Sequence, residues 1–123
     1  MTPIISVIIP VFNEESSIGR VLDDLPQDKL KEIIVVNNAC TDNTADVARR
    51  HGAKVVEEMS PGYGSACLKG ISQLYNPDIV VFIDGDYSDY PEELSKLVRP
   101  IESGNSDFVV GTRMILPESR AAL

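Results

Sequence analysis

The chain has 123 residues, 43% of them hydrophobic, with 19 acidic against 11 basic side chains for a formal net charge of −8. An ordinary apolar fraction in a chain of one-domain length excludes wholesale disorder, and two cysteines, Cys40 and Cys67, are too few for a disulfide scaffold and read as free thiols. The acidic excess, with Lys and Arg scattered along the chain, argues against nucleic acid as a partner and disfavours an anionic membrane surface.

In chain order, the start Met1–Ser6 has no basic leader, and no apolar run nears the ~20 residues of a membrane span, so a soluble, cytoplasmic chain is expected. Ile4–Phe12 is a Val- and Ile-rich run with little alternation, as expected of a strand buried on both faces of a parallel sheet. Ile18, Val21, Leu22 and Leu25 then recur at helical spacing. A second strand is predicted at Glu32–Val36, followed by a short helix over Thr44–His51 that Gly52 stops. Lys54–Val56 is a weaker third strand. A helix opening near Ser65 carries Leu68, Ile71 and Leu74–Tyr75 as its apolar stripe, and Ile79–Ile83 is a fourth strand. Leu94, Leu97, Val98 and Ile101 mark another helix before a fifth strand at Phe108–Val110. Strands alternating with helices imply a three-layer α/β sandwich, Rossmann-like, with a mostly parallel sheet and right-handed crossovers.

In such sheets ligands bind at the carboxyl ends of the strands, so the residues just past each strand carry the chemistry. Asp84-Gly85-Asp86 places two carboxylates on a turn where they can meet a hard divalent cation; the alternative is an Asp-Gly turn that only ends the strand. Gly62-Tyr63-Gly64 opens a helix, where backbone N–H groups approach a phosphate, or it is a turn chosen for geometry. Asn37 and Asn38 offer amides to a base edge, or form an Asx-type turn before a helix capped by Asp42 or Asn43. Arg113 is a phosphate clamp or an ordinary surface arginine, and His51 suits the last turn of its helix, where a cation complements the dipole. With one histidine, a Ser-His-Asp arrangement has no support.

Taken in order, these segments resemble the nucleotide-sugar-binding part of family 2 glycosyltransferases of the GT-A fold, polyprenyl-phosphate sugar transferases above all. The resemblance rests on Ser6-Val7-Ile8-Ile9-Pro10-Val11-Phe12-Asn13-Glu14, Ile34-Val35-Val36-Asn37-Asn38-Ala39-Cys40-Thr41-Asp42-Asn43-Thr44 and Gly62-Tyr63-Gly64-Ser65-Ala66. It continues through Val81-Phe82-Ile83-Asp84-Gly85-Asp86, Pro91-Glu92-Glu93-Leu94 and Val109-Val110-Gly111-Thr112-Arg113, so nearly the whole chain takes part.

The resemblance implies that Pro10, Phe12 and Glu14 line a base and ribose pocket, and that Asn37 and Asn38 stand where the family usually has an acidic pair at the base. It implies that Gly62, Gly64, Asp84 and Gly85 face the donor, and that Asp84 and Asp86 hold Mg²⁺ or Mn²⁺ against the diphosphate. Arg113 would lie near the donor phosphates or the acceptor. The implied activity is inverting, metal-dependent transfer of a sugar from a UDP- or GDP-linked donor to a lipid phosphate or a saccharide. Two departures stand out, the amides at 37 and 38 and Tyr63 where a lysine is common.

Family members also continue past the Gly-Thr-Arg segment. One nucleotide-sugar-binding domain over 1–123, lacking the acceptor part, is therefore expected, peripheral at a membrane in a full-length context. A non-catalytic nucleotide-sugar-binding module is the alternative, and an uncovered apolar face would favour a homo-oligomer. A phosphoacceptor receiver domain shares the length and alternation. It would need an acceptor Asp after the third strand and a Lys after the fifth, where Glu57-Glu58 and Thr112-Arg113 stand.

Overall fold

The computed structural model describes residues 4–87 together with Pro91, Leu94 and Arg99. Branched side chains favour extended backbone, and the first such run forms β1 (Ile5–Val11). It is followed by β2 (Glu32–Asn37), β3 (Lys54–Glu57) and β4 (Ile79–Phe82), each within one residue of its expected ends. All pairings are parallel, in the order β3-β2-β1-β4. With neighbours on both edges and helices on both faces, β1 buries Val7, Ile8 and Ile9 completely. The fifth strand expected at Phe108–Val110 lies outside the described residues, as do Leu97, Val98 and Ile101; Leu94 is buried in the core.

One face of the sheet carries α1 (Ile18–Asp24) and α2 (Thr44–Arg50). The expected stripe of α1 goes inward: Ile18, Val21, Leu22 and Leu25 pack with Val7, Ile9, Val11 and Val35. Gly52 ends α2 in the left-handed region at φ +92°, which costs glycine nothing. His51, the C-cap residue of α2, places Nδ1 2.8 Å from the Asp23 carboxylate and so ties α2 to α1.

The opposite face is covered by α3 (Tyr63–Ser72), which begins two residues before the expected start near Ser65. Of its expected stripe only Leu74, just past the end of the helix, packs against the core. Leu68, Ile71 and Tyr75 are 69%, 47% and 75% exposed, while Ala66 and Gly70 are the residues that meet the sheet, against Ile8, Ile34, Val36 and Val56. The reason is distance. A Cβ on Gly70 would lie 2.5 Å from Ile8 Cγ2, so α3 sits too close to the sheet for a large side chain at that point. Val80 and Phe82 project from β4 on this same side and are exposed too, Phe82 in register with Ile8. Among the described residues no helix is long and apolar enough to cross a membrane.

Candidate functional site

At the carboxyl ends of β1, β2 and β4 lies an open cleft of about 530 Å³. Pro10, Val11, Phe12 and Glu14 line it from β1 and the turn that follows, and Asn38 from the end of β2. Pro61, Gly62, Tyr63 and Ala66 line it from the α3 start, and Asp84, Gly85 and Asp86 from the turn after β4. Of the residues singled out from sequence, Pro10, Phe12, Glu14, Asn38, Gly62, Asp84, Gly85 and Asp86 are thus brought together. Asn37 and Gly64 do not line the cleft, and Arg113 lies outside the described residues.

The rim is stitched together by its own polar groups. The Asn13 carboxamide oxygen accepts from the Thr41 N–H at 2.8 Å, and the Asn13 N–H donates to Cys40 Sγ at 3.2 Å. The Glu14 N–H donates to the buried Thr44 hydroxyl at 2.8 Å, and that hydroxyl donates to Asp42. Asp42 also accepts from the Thr44 N–H at 3.0 Å, so it satisfies the start of α2 although Asn43 occupies the cap position without a side-chain bond. These hydrogen bonds, those from Thr44 first, hold the Asp42 carboxyl below its ordinary value. Asn13 and Ala39 take positive φ, +53° and +60°, to make these turns.

Asn37 and Asn38 go separate ways. Asn37 Nδ2 donates to the Glu57 carboxylate at 2.9 Å and its Oδ1 accepts from the Cys40 N–H at 2.9 Å, the Asx-type geometry expected as one alternative. Asn38 is nearly buried, and its amide is directed into the loop between β3 and α3.

The Asp84–Asp86 turn is fixed by packing. A Cβ on Gly85 would lie 2.6 Å from Val11 Cγ1, and the Ser17 hydroxyl donates to the Gly85 carbonyl at 2.7 Å. Glycine is needed here for space, since its φ is not positive. Just beyond, Tyr87 sits at φ +64°, donates its hydroxyl to Asp24 and stacks its ring 4.3 Å from the Arg20 guanidinium, anchoring the turn on α1.

Electrostatically the cleft is acidic. Burial pushes the Glu14 carboxyl above its ordinary value, and the charges of Asp86, Asp42 and Asp84 push it further, against a hydrogen bond from Ser17. A cation there relieves that repulsion. Among the described residues no group of three or more His, Cys, Asp or Glu is arranged to hold a metal. Asp84 and Asp86 are hard oxygen donors on one turn, however, and Mg²⁺ or Mn²⁺ ordinarily takes one or two carboxylates and fills its shell with phosphate and water. The residues present fit such an ion. Exposed aromatic rings, Phe12 and Tyr63, flank the cleft, and the N-terminal turn of the ten-residue α3, with the partial positive charge of a helix start, opens beside it. Val11, Pro61 and Ala66 line the cleft without having been singled out from sequence, because small apolar side chains carry no signal of chemistry. A depression over α2 offers no comparable chemistry, because Arg49 is engaged by Asp46 and Glu57 and Arg50 by the Asp46 carbonyl.

The sequence model of glycosyl transferase family 2 matches residues 6–120. An uncharacterized glycosyltransferase of Mycobacterium tuberculosis is 44% identical over 109 residues, covering 89% of this chain and 48% of that protein. A UDP-N-acetylglucosamine–dolichyl-phosphate N-acetylglucosaminyltransferase of Methanococcus voltae is 28% identical over 135 residues, covering 94% of this chain and 54% of that one. Glucosyl-3-phosphoglycerate synthase of M. tuberculosis, crystallised with Mn²⁺, UDP-glucose and phosphoglyceric acid, superposes with a TM-score of 0.75 at 34% identity, over 83% of this chain and 40% of that one. The chain spans about half the length of the curated relatives it matches.

Proposed function

The chain belongs to glycosyl transferase family 2, and on that premise we propose that its cleft binds a nucleotide-diphosphate sugar whose sugar is transferred, with inversion, to an acceptor. The single observation that carries this reading is the convergence of Glu14, Asp84 and Asp86 with the α3 start and two exposed aromatic rings on one sheet edge. In this reading Phe12 and Pro10 hold the base, and Glu14 faces the ribose. The N–H groups of the Gly62–Gly64 segment approach the diphosphate. Asp84 and Asp86 would hold Mg²⁺ or Mn²⁺, which supplies stabilisation of the negative charge on the departing diphosphate. Asp86 and Arg113 are the residues assigned closest to the reacting phosphates.

The solved relative was crystallised with Mn²⁺ and a UDP-sugar, which supports a divalent cation and a uridine donor for this chain. The methanococcal relative's name supports a polyprenyl phosphate as acceptor. Such an acceptor is already anionic and attacks without a strong general base. The proposal sets residues 1–123 as one nucleotide-sugar-binding unit in the cytoplasm, peripheral at a membrane where the acceptor is a lipid.

Calorimetric titration with UDP- and GDP-sugars, with and without Mn²⁺, tests this. Metal-dependent binding is expected, weakened about tenfold or more in Asp86→Asn, a change of ~1.4 kcal/mol or more. Absence of metal-dependent heat with every donor would overturn it. Transfer of labelled sugar to a polyprenyl phosphate then separates a transferase from a binding module, which would show the first result without the second.

A further inference from the structure

Asn38, at the end of β2, is 7% exposed, and its carboxamide is fully engaged. Nδ2 donates to the Glu58 carbonyl at 3.0 Å and to the Ser60 carbonyl at 2.8 Å, while Oδ1 accepts from the Gly62 N–H at 3.0 Å. All three partners belong to the loop that leads from β3 into α3. A base edge brought to this side chain finds both donor protons already committed.

The polarity of the set is specific. Two of the three partners are carbonyl oxygens, which only a donor satisfies. A carboxylate at this position would set lone pairs against lone pairs and keep only the contact with Gly62. Gly62 is held at φ +119° and ψ 149°, a conformation reserved for glycine, and its own carbonyl accepts from the Ala66 N–H at 3.2 Å to begin α3. The path of the loop, the aim of the first α3 N–H groups and the placement of Tyr63 beside the cleft therefore all run through one amide on β2.

Resting on the donor-binding reading above, we infer that Asn38 is a positioning residue that sets donor affinity through the Gly62–Gly64 segment and takes no part in choosing the base. An acidic residue at this point would keep only the Gly62 bond and lose both donor bonds; the asparagine pins the loop through all three.

The test compares UDP, GDP and ADP in the presence of Mn²⁺ by titration calorimetry. In Asn38→Ala and Asn38→Asp, affinity for all three is expected to fall by one common factor, roughly tenfold, with aspartate at least as damaging as alanine. A changed ratio among the bases, or unchanged affinity, overturns the inference. Gly62→Ala, with Asn38 intact, is expected to give the same uniform loss, so the result does not hang on how the Asn38 variants fold. In the unmodified protein, hydrogen exchange by NMR is expected to show protection of the Gly62 amide and of both Asn38 carboxamide protons; exchange at free-peptide rates overturns the pin. If the unmodified protein binds no nucleoside diphosphate, the donor reading falls, and the exchange data still decide whether Asn38 holds the loop.

Discussion

Glu14 shows how much of the site is decided by charge. Its carboxyl is raised first by burial and then by Asp86, Asp42 and Asp84, so the folded state holds that proton more tightly than the unfolded chain does. Linkage then fixes the sign. At pH below both values the side chain contributes nothing pH-dependent, and stability is lost as pH rises from the ordinary glutamate range through the raised folded value. Glu14→Gln removes this cost while keeping the backbone bond to Thr44. The variant is therefore expected to gain stability over the parent at about pH 7 and to lose that advantage by about pH 4, measured by urea denaturation at both values. An equal difference at the two pH values would show that the effect is packing, not ionisation. Saturating Mn²⁺ is expected to shrink the advantage at neutral pH, because a cation among the same carboxylates stabilises the ionised form.

Glu14, Asp84 and Asp86 were legible in the sequence because each lies in the turn that follows a strand, and parallel α/β sheets collect those turns on one edge; Asp42, at the start of α2, was read only as a cap. The partners of Asn38 were not legible. They are two main-chain carbonyls and one main-chain N–H in a loop distant in sequence, and no side-chain identity announces them.

Elements are where the periodic reading and the structure part company. The reading of α3 counted large apolar residues at helical spacing, and Leu68, Ile71 and Tyr75 satisfy that count while pointing outward. What selects the buried face is the small pair Ala66 and Gly70, four residues apart, which lets the helix backbone approach β1. A pattern search tuned to hydrophobic bulk passes over such a face. The contrast with α1 is instructive, because there Ile18, Val21 and Leu22 are both large and buried, and the two signals agree.

Gly70→Ala tests the geometry of α3. Alanine improves intrinsic helix propensity by ~1 kcal/mol, but its Cβ would lie 2.5 Å from Ile8 Cγ2 inside the core. Overpacking of this kind costs about 1–3 kcal/mol, so net destabilisation is expected despite the better helix former. Leu68→Ala, which removes far more apolar surface from an exposed position, is expected to stay within ~0.5 kcal/mol of the parent. Thermal unfolding followed by circular dichroism decides between them, and the reverse ranking would mean that α3 buries the other face.

At the scale of the whole molecule, the alternation of strands and helices was enough to foresee a parallel sheet and the edge where its cleft lies, because chirality and connection rules leave few other arrangements. The net charge of −8 adds a consequence that neither the fold nor any single residue contains. A nucleoside diphosphate is itself anionic, and among the described residues the charged side chains lining the cleft, Glu14, Asp84 and Asp86, are all acidic. Without a divalent ion the nucleotide therefore approaches against the field, with backbone N–H groups and aromatic faces as its attractions. Raising monovalent salt from about 0.02 to 0.2 M shortens the Debye length from roughly 20 Å to roughly 7 Å and screens that repulsion. Metal-free UDP is expected to bind no more weakly, and by a small factor more tightly, at the higher salt. Affinity for Mn²⁺ alone is expected to fall over the same range, because there the screened interaction is attractive. Opposite slopes in two calorimetric series thus mark an acidic cleft that depends on a cation to receive a diphosphate. A steep loss of metal-free UDP affinity with salt would instead mean that a basic side chain such as Arg113 governs the phosphate site, and the dependence on a cation held by Asp84 and Asp86 would have to be given up.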